Sequence, residues 1–326
     1  MTSESLRAYD FDQSRIFMIL EITIKFVLLR RLSQPNGEIG MSKNVLSRRS
    51  FVVGSGACLV ALGNRRAMAA NDRLVLTGSS TVAPLAAEIG KRFEESHKDV
   101  RVDVQTGGSS RGVHDARIGL ADIGMVSRSL YDNEKDLTAH TIALDGVTII
   151  LHESNPVQAL TAKQISDIYT GKIRDWSAVG PGSGAIVVEH KAEGRSTLEL
   201  FLEHFKLKAT EVRADVIVGD NQEAIKVIAG NRLAIGYVSI GAAEFEVENG
   251  TLIKPLPLDS VEPTLEAIRR RQFPIIRELN LVVKGEPQGL AKEFITYAQS
   301  GAVDDLVKEL SYVPLDHTAD FKAAQR

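Results

Sequence analysis

Gly78-Ser79-Ser80-Thr81, Gly107-Gly108-Ser109-Ser110 and Gly194-Arg195-Ser196-Thr197 are three short turns, each between a strand-like and a helix-like run. A helix N-terminus presents free N–H groups and a partial positive charge. Hydroxyls add uncharged donors, and glycine lets the backbone approach a ligand closely. Three such helix starts that meet at one point would bind a small tetrahedral anion.

The runs around these turns follow simple periodicities. Apolar runs typical of strands precede the turns at 74–76, 100–105 and 186–189, and runs typical of helices follow them at 82–93, 111–120 and 198–205. Ser and Thr are also favoured as helix N-caps, so a cap explains each turn taken alone. The anion-site interpretation therefore depends on the three turns together.

Residues 41–69 have the parts of an export signal. The segment 47–53 contains Arg48-Arg49 and resembles a twin-arginine motif, and a soft apolar stretch follows at 52–62. Ala67-Met68-Ala69 supplies the small residues that a signal peptidase reads, which predicts cleavage after Ala69. We therefore expect export to the periplasm through the twin-arginine pathway. The alternative is a chance arginine pair beside an apolar core helix.

Residues 1–40 fit poorly with a signal whose arginines should lie near its start. The apolar run at 16–29 is short and contains Glu21 and Lys25, which disfavours a membrane anchor. We interpret residues 1–40 as an over-long gene start or an unstructured, non-native extension.

Cys58 is the only cysteine of the chain and lies inside the predicted signal. A lipoprotein site would have a Leu-like residue three positions earlier, where this chain has Ser55, so lipid anchoring is the minor alternative. The exported chain would contain no cysteine and would need no disulfide.

Size and charge limit the classes of function. Without residues 1–69, 257 residues remain, with 29 Lys and Arg against 37 Asp and Glu, or a net charge of −8. This length suffices for two lobes or one large domain. The acidic balance argues against nucleic acid or an anionic membrane as partner. It does not exclude an anion ligand, because a site made of dipoles acts locally.

Strand-like and helix-like runs alternate along the chain, which predicts an α/β protein with mostly parallel sheets. Thr161-Ala162-Lys163-Gln164 has the pattern of a capping box that opens a helix to Tyr169. The further predicted strands are 123–126, 147–151, 234–238 and 279–283, and the further predicted helices are 221–229, 290–298 and 303–310.

Several stretches between Leu74 and Leu315 together resemble the PstS-like periplasmic phosphate-binding proteins of ABC importers. The first anion loop of that family is similar to 76–84, and the second is similar to 108–113. The other similar stretches are the contact strand 121–128, the second-lobe segment 168–176 and the return strand 234–238.

The resemblance implies a type II periplasmic binding protein fold. Two α/β lobes are joined by hinge strands, and the anion lies in the cleft between them. Lobe one would contain 71–150 plus 275–326, and lobe two would contain 151–274. The implied function is capture of an inorganic oxyanion, with phosphate first, for an ABC permease in the inner membrane. We expect a monomer that is not an enzyme and needs no cofactor.

The same resemblance implies a set of ligand residues. The hydroxyl and amide ligands fall on Ser80, Thr81 and Ser109. Many phosphate binders place an aspartate on the third strand, where this chain has Ser127 followed by Arg128. In lobe two, the family pattern Arg-x-x-Gly-Ser-Gly-Thr becomes 191–197 here, so the implied ligands there are Lys191, Arg195, Ser196 and Thr197.

These departures leave the identity of the oxyanion open. Lysine offers a point charge where arginine offers a planar fork. Sulfate, molybdate, tungstate or a phosphonate would suit a cleft of the same kind, and a phosphate sensor would use the same fold. Arg128 either contacts the anion or pairs with an acidic neighbour. We expect turn or cap roles for Asp122 and Asp145, and a core role for Trp176.

A serine hydrolase is the competing class. Gly108-Ser109-Ser110-Arg111-Gly112 satisfies G-x-S-x-G between a strand and a helix, with Ser110 as nucleophile and His317 as a possible base. No HGGG-type oxyanion motif accompanies it, and neither a Walker A motif nor G-x-G-x-x-G occurs. The histidines lack metal-ligand spacing, so no metal site is predicted.

Overall fold

The computed structural model describes residues 72–317. The predicted extension 1–40 and the predicted signal 41–69 lie outside these residues, as does the end of the chain from 318. The nine strands of the described part are β1 Asp72–Gly78, β2 Val100–Thr106, β3 Ile123–Val126, β4 Leu137–His152, β5 Val187–Lys191, β6 Val216–Val218, β7 Ala234–Ser239, β8 Ile253–Pro255 and β9 Ile276–Lys284.

Nine α-helices accompany these strands within residues 72–317. They are α1 Ala83–Ser96, α2 Ser109–Ile118, α3 Ala162–Tyr169, α4 Ser196–His204, α5 Asn221–Gly230, α6 Ile240–Glu248, α7 Leu265–Arg269, α8 Gly289–Ala298 and α9 Asp304–Glu309. No helix of this part of the chain is both long and apolar enough to cross a bilayer.

The strands form one mixed sheet in the order β2-β1-β3-β9-β4-β7-β5-β6, with β8 on β4. The α/β class is confirmed, but the predicted mostly parallel arrangement is wrong. The pairs β1–β2, β1–β3, β5–β6 and β5–β7 are parallel. The strands β4 and β9 are antiparallel to each other and to their other neighbours. A buried strand has the same apolar pattern whether its neighbours are parallel or antiparallel, so apolar runs do not specify strand direction.

The two largest hydrophobic cores of the described residues lie along this sheet, and β4 contributes to both. One core includes Leu76, Phe93 and Ala143, and the other includes Leu144, Trp176 and Tyr237. A sixteen-residue strand that enters two cores provides the connection that a hinged, two-lobed protein needs. The core changes between residues 143 and 144, seven residues before the predicted boundary after residue 150, so the two cores agree with two lobes and the predicted boundaries stay a proposal.

Local signals explain where several helices begin. The Thr161 side chain accepts a hydrogen bond from the Gln164 amide, and the Gln164 side chain accepts one from the Thr161 amide, which confirms the predicted capping box. Trp176 is buried in the second core, as expected. The sequence interpretation missed α6, α7, β6 and β8, because the strands are three residues long and α6 lacks a clean apolar face.

Candidate oxyanion site

A buried ion pair on adjacent strands forms the floor of the site. Arg277 on β9 lies directly opposite Asp145 on β4 in the antiparallel register. The Arg277 Nε and Nη2 atoms donate to Asp145 Oδ2 at 2.9 and 2.7 Å, and both side chains are completely buried. Asp145 also accepts from the Ser239 hydroxyl and the Gly241 amide, so its carboxylate is fully engaged. The remaining N–H groups of Arg277 are directed away from it.

Three of the predicted hydroxyls meet on that guanidinium. Nη2 of Arg277 donates to Thr81 Oγ1 at 3.1 Å, and Nη1 donates to Thr197 Oγ1 at 3.0 Å and to Ser127 Oγ at 3.4 Å. Thr81 and Thr197 belong to the first and third turns, and Ser127 follows β3. The structure therefore brings residues from three distant parts of the chain to one arginine.

A second ring of hydrogen bonds fixes these hydroxyls. Ser109 of the second turn accepts from the Ser127 amide at 3.2 Å, and the Ser79 hydroxyl lies 2.9 Å from the Ser127 hydroxyl. Asn221, the first residue of α5, donates its amide to Thr81 Oγ1 at 3.2 Å. All three turns are thus connected to the same cluster.

The hydrogen bonds that the hydroxyls accept determine whether their own hydrogens are free to bind a ligand. A hydroxyl has two acceptor positions and one hydrogen. Thr81 Oγ1 accepts hydrogen bonds from both Arg277 and Asn221. The Ser79 hydroxyl oxygen already accepts from two amides, so its hydrogen is donated to Ser127. The Ser127 hydroxyl therefore accepts from both Ser79 and Arg277. Their O–H hydrogens have no acceptor among residues 72–317. The site therefore presents hydrogen-bond donors around a positive group.

The helix starts at these turns lack the side-chain N-cap that four other helices have. No cap side chain accepts a hydrogen bond at the N-termini of α1, α2 and α4. In contrast, Thr161, Asp220, Ser239 and Thr264 cap the helices α3, α5, α6 and α7. N-capping was the alternative explanation of the turns. It accounts for Ser79 in the first turn, which accepts from the amides of Thr81 and Val82, but not for the second and third turns.

Gly108 allows the second and third turns to come together. It has a φ of +91°, and a β-carbon there would lie 2.6 Å from the Gly194 carbonyl oxygen. The Ser110 amide donates to that oxygen at 3.3 Å. Any larger residue at Gly108 would force the turns apart, so glycine is required by both conformation and space.

Arg195 and Ser196 lie beside this contact. The Arg195 side chain packs against Gly108, and its Nε atom is buried without a hydrogen-bond partner among the described residues. The same holds for the Ser196 hydroxyl. Because buried polar groups are normally paired, these unpaired donors next to Thr197 suit a polar ligand.

Ser80 has a more peripheral place than the other predicted ligands. It is half-buried and lines a cavity of about 340 Å³, together with Asn221 and Tyr312. Tyr312 donates its hydroxyl to the Thr81 carbonyl oxygen at 2.9 Å. Ser80 therefore lies between this cavity and the Thr81 hydroxyl.

Lys191 does not contact the Arg277 cluster and instead binds residues next to the start of α5. Its buried ammonium donates to Glu189 at 3.2 Å and to the Asp220 carbonyl oxygen at 2.9 Å. Burial lowers the pKa of Lys191 and raises the pKa of Glu189, and the attraction between the two charges opposes both shifts. Asp220 caps α5, whose first residue contacts Thr81, so Lys191 acts through that helix start.

The predicted anion contact of Arg128 does not fit its surroundings. Its guanidinium forms two hydrogen bonds with Glu134, at 2.7 and 2.9 Å, and one with Glu199 at 2.8 Å. A further bond goes to the Ser129 carbonyl oxygen. These partners neutralise the charge of Arg128, so Arg128 is not part of the ligand set proposed below.

Arg277 was missed by the sequence interpretation, and the cap role expected for Asp145 describes only part of its contacts. Asp145 does accept from an amide near the start of α6, but its main partner is the Arg277 guanidinium. The sequence contained one signal for this pair, since Asp145 and Arg277 are each a charged residue inside an apolar run. Charged groups are rarely buried unless they are paired. A local sequence pattern could not show that these two residues, 132 positions apart, form a pair.

The hydrolase alternative lacks a catalytic arrangement. The Ser110 hydroxyl approaches Glu199 at 3.4 Å, whereas the His317 ring contacts Asp304. No group of three or more His, Cys, Asp or Glu residues able to hold a metal ion occurs within residues 72–317. The chemistry present is that of a fixed cation with hydroxyl donors, which binds an oxyanion without reacting with it.

Fold and site together define a two-lobed solute-binding protein, a class that binds its ligand without chemical change. The sequence profile of the PBP superfamily domain matches residues 65–302, and the chain belongs to this superfamily. It is similar to a phosphate ABC transporter substrate-binding protein of Clostridium perfringens crystallised with bound phosphate. The two are 30% identical with a TM-score of 0.69, over 75% of this chain and 100% of that one.

Two further relatives agree with this assignment. An ABC-type phosphate transport receptor from Vibrio cholerae is 27% identical with a TM-score of 0.62, over 74% of this chain and 100% of that one. Phosphate-binding protein PstS of Bacillus subtilis is 26% identical over 253 residues, which cover 76% of this chain and 82% of the relative. The resemblance and the two-lobed fold predicted from the sequence are confirmed.

Proposed function

We propose that this protein captures phosphate for an ABC importer. The observation that carries the proposal is the convergence of Thr81, Ser127 and Thr197 on Arg277, with their O–H hydrogens left to donate. Hydrogen bonds to a charged group are stronger than neutral ones. Four oxygens of a tetrahedral anion would match donors that come from several directions.

The proposed ligand set contains Thr81, Ser109, Ser127, Thr197 and Arg277, with Ser80, Arg195 and Ser196 at its edge. Lys191 belongs to the supporting shell. The phosphate-bound Clostridium perfringens relative supports phosphate over the other oxyanions. Calorimetric titration with phosphate, sulfate, molybdate, tungstate and a phosphonate tests this choice, and tighter binding of any other anion would contradict it.

Alanine substitutions test the hydroxyl ligands. We expect Thr81→Ala, Ser109→Ala and Thr197→Ala each to weaken phosphate binding by roughly 1–3 kcal/mol, because each removes a hydrogen bond to a charged ligand. Thr296→Ala is the matched control, since Thr296 is an exposed threonine on α8 that makes none of these contacts. Unchanged affinity in all three variants, measured by calorimetry, would place the anion elsewhere.

The partners and location follow from the same proposal. A closed, ligand-bound form would be recognised by an ABC permease in the inner membrane, and the binding protein would act as a periplasmic monomer. The phosphate transport receptor of Vibrio cholerae supports this assignment. A sensor role is the second candidate, in which the closed form docks on a receptor. A permease gene next to this gene would favour the importer.

Export should depend on the pair Arg48-Arg49. We expect Arg48→Lys combined with Arg49→Lys to leave the precursor in the cytoplasm, because the twin-arginine pathway reads that pair. The pair Arg65-Arg66 lies after the apolar stretch and provides the matched control when it is changed to lysines. Cell fractionation and N-terminal sequencing check this, with a mature start near Ala70. Normal export of the first variant would exclude this pathway.

A further inference from the structure

Glu199 forms a polar contact across the cleft. Its Oε2 atom accepts from Arg128 Nε at 2.8 Å and from the Tyr131 hydroxyl at 3.0 Å, and its Oε1 atom lies 3.4 Å from the Ser110 hydroxyl. Glu199 belongs to α4, which packs through Phe201 into the second core. Its three partners lie on α2 and in the segment after β3, in the other half of the protein.

The partners of Glu199 are also held by contacts within their own segment. Glu134 holds Arg128 through two hydrogen bonds and also accepts from the Tyr131 amide at 2.8 Å. The Arg128 guanidinium lies 3.8 Å from the centre of the Tyr131 ring. Burial raises the pKa of Tyr131 to about 12, so its hydroxyl remains a donor at neutral pH. Glu199 therefore meets a preorganised pair of donors and loses little entropy.

The same short segments carry both this contact and the anion ligands. Arg128 directly follows Ser127, and Glu199 lies two residues after Thr197. When Thr197 and Ser127 approach one anion, Glu199 and Arg128 are brought within hydrogen-bond distance. Breaking either contact frees the same two segments to separate, so closure and anion retention are one event.

We propose that Glu199 is a closure residue, a carboxylate that stabilises the closed form through its hydrogen bonds with Arg128 and Tyr131. It thereby determines how long the bound anion is retained. This inference rests on the proposed function, because it concerns retention of the same ligand. Glu199 does not touch the anion in this arrangement. It acts on affinity by stabilising the closed form relative to the open form.

The test is a stopped-flow measurement of phosphate association and dissociation with the wild type and Glu199→Gln. We expect Glu199→Gln to dissociate phosphate about ten times faster, with an almost unchanged association rate, because charge-assisted bonds are lost only on opening. Glu203→Gln is the matched control, since Glu203 lies exposed on the same helix. It should behave like the wild type.

A second variant separates the contact from general damage. Tyr131→Phe removes one donor to Glu199 and should accelerate dissociation by a smaller factor. In the Glu199→Gln, Tyr131→Phe double variant, the two effects should be less than additive, as expected for residues in direct contact. Full additivity, or an effect on association alone, would overturn the proposed role of Glu199.

The behaviour of the wild-type protein distinguishes the proposed ligand from the proposed role of Glu199. Wild-type protein that fails to bind phosphate would overturn the proposed ligand. Wild-type protein that binds phosphate tightly, with the same dissociation rate in Glu199→Gln, would overturn only the closure role. Equal acceleration by Glu203→Gln would also overturn it, because the effect would then reflect the charge of α4 and not this contact.

Discussion

Replacing Arg277 with glutamine is expected to weaken phosphate binding by about 100-fold or more and to destabilise the protein by about 3–5 kcal/mol. The first effect follows from removal of the one cation that Thr81, Ser127 and Thr197 share. The second follows because the completely buried Asp145 would lose its cationic partner. Calorimetric titration measures the affinity, and urea denaturation measures the free energy of unfolding.

Two further variants distinguish these effects. In the double variant Arg277→Gln, Asp145→Asn, no buried charge is left unpaired, so stability should largely recover while affinity stays low. Arg277→Lys keeps the charge but not the planar fork that reaches several hydroxyls, and it should fall between the wild type and Arg277→Gln. Wild-type affinity in the double variant would show that the anion does not use this cation.

The second large effect concerns the choice between phosphate and sulfate. Phosphate at neutral pH carries one or two protons, whereas sulfate carries none. A site that includes a carboxylate can accept that proton and repel sulfate. Here the corresponding position is Ser127, whose hydroxyl already accepts from Arg277 and Ser79, and Asp145 is fully engaged. We therefore expect millimolar sulfate to compete measurably with phosphate.

Introducing the missing acceptor should sharpen the preference. Ser127→Asp is expected to raise the ratio of phosphate to sulfate affinity by about 100-fold, or about 3 kcal/mol, mainly through loss of sulfate binding. Ser127→Asn matches the size without the charge and should leave the ratio almost unchanged. Competition calorimetry at pH 7 measures both ratios. A wild-type protein that ignores sulfate would require another acceptor in the site, such as Glu193.

The sequence predicts the elements around the site better than the site itself. The strand 123–126 agrees with β3, and the Thr161 capping box forms as its pattern indicates. The three turns were located correctly, since each precedes a helix and contributes a hydroxyl to one cluster. These features depend on neighbouring residues, so a local pattern is sufficient to reveal them.

The floor of the site depends on partners far apart in the chain. Nothing within a few residues of Arg277 indicates that it will face Asp145, because their pairing requires β9 to enter the sheet antiparallel to β4. Of the two roles considered for Arg128, the structure favours pairing with acidic residues. One of them, Glu134, is six residues away, whereas Glu199 is 71 residues away and could not be identified locally. The direction of a strand and the identity of a distant partner are set by tertiary packing, which periodicity does not contain.

The position of β9 between β3 and β4 has a consequence for synthesis on the ribosome. β3 and β4 are made more than 120 residues before the strand that joins them, so a nascent chain shorter than about 284 residues has two exposed strand edges there. Such edges favour pairing with other chains. Truncated forms that end before Ile276 should therefore aggregate, and stable folding should await the emergence of β9 from the exit tunnel.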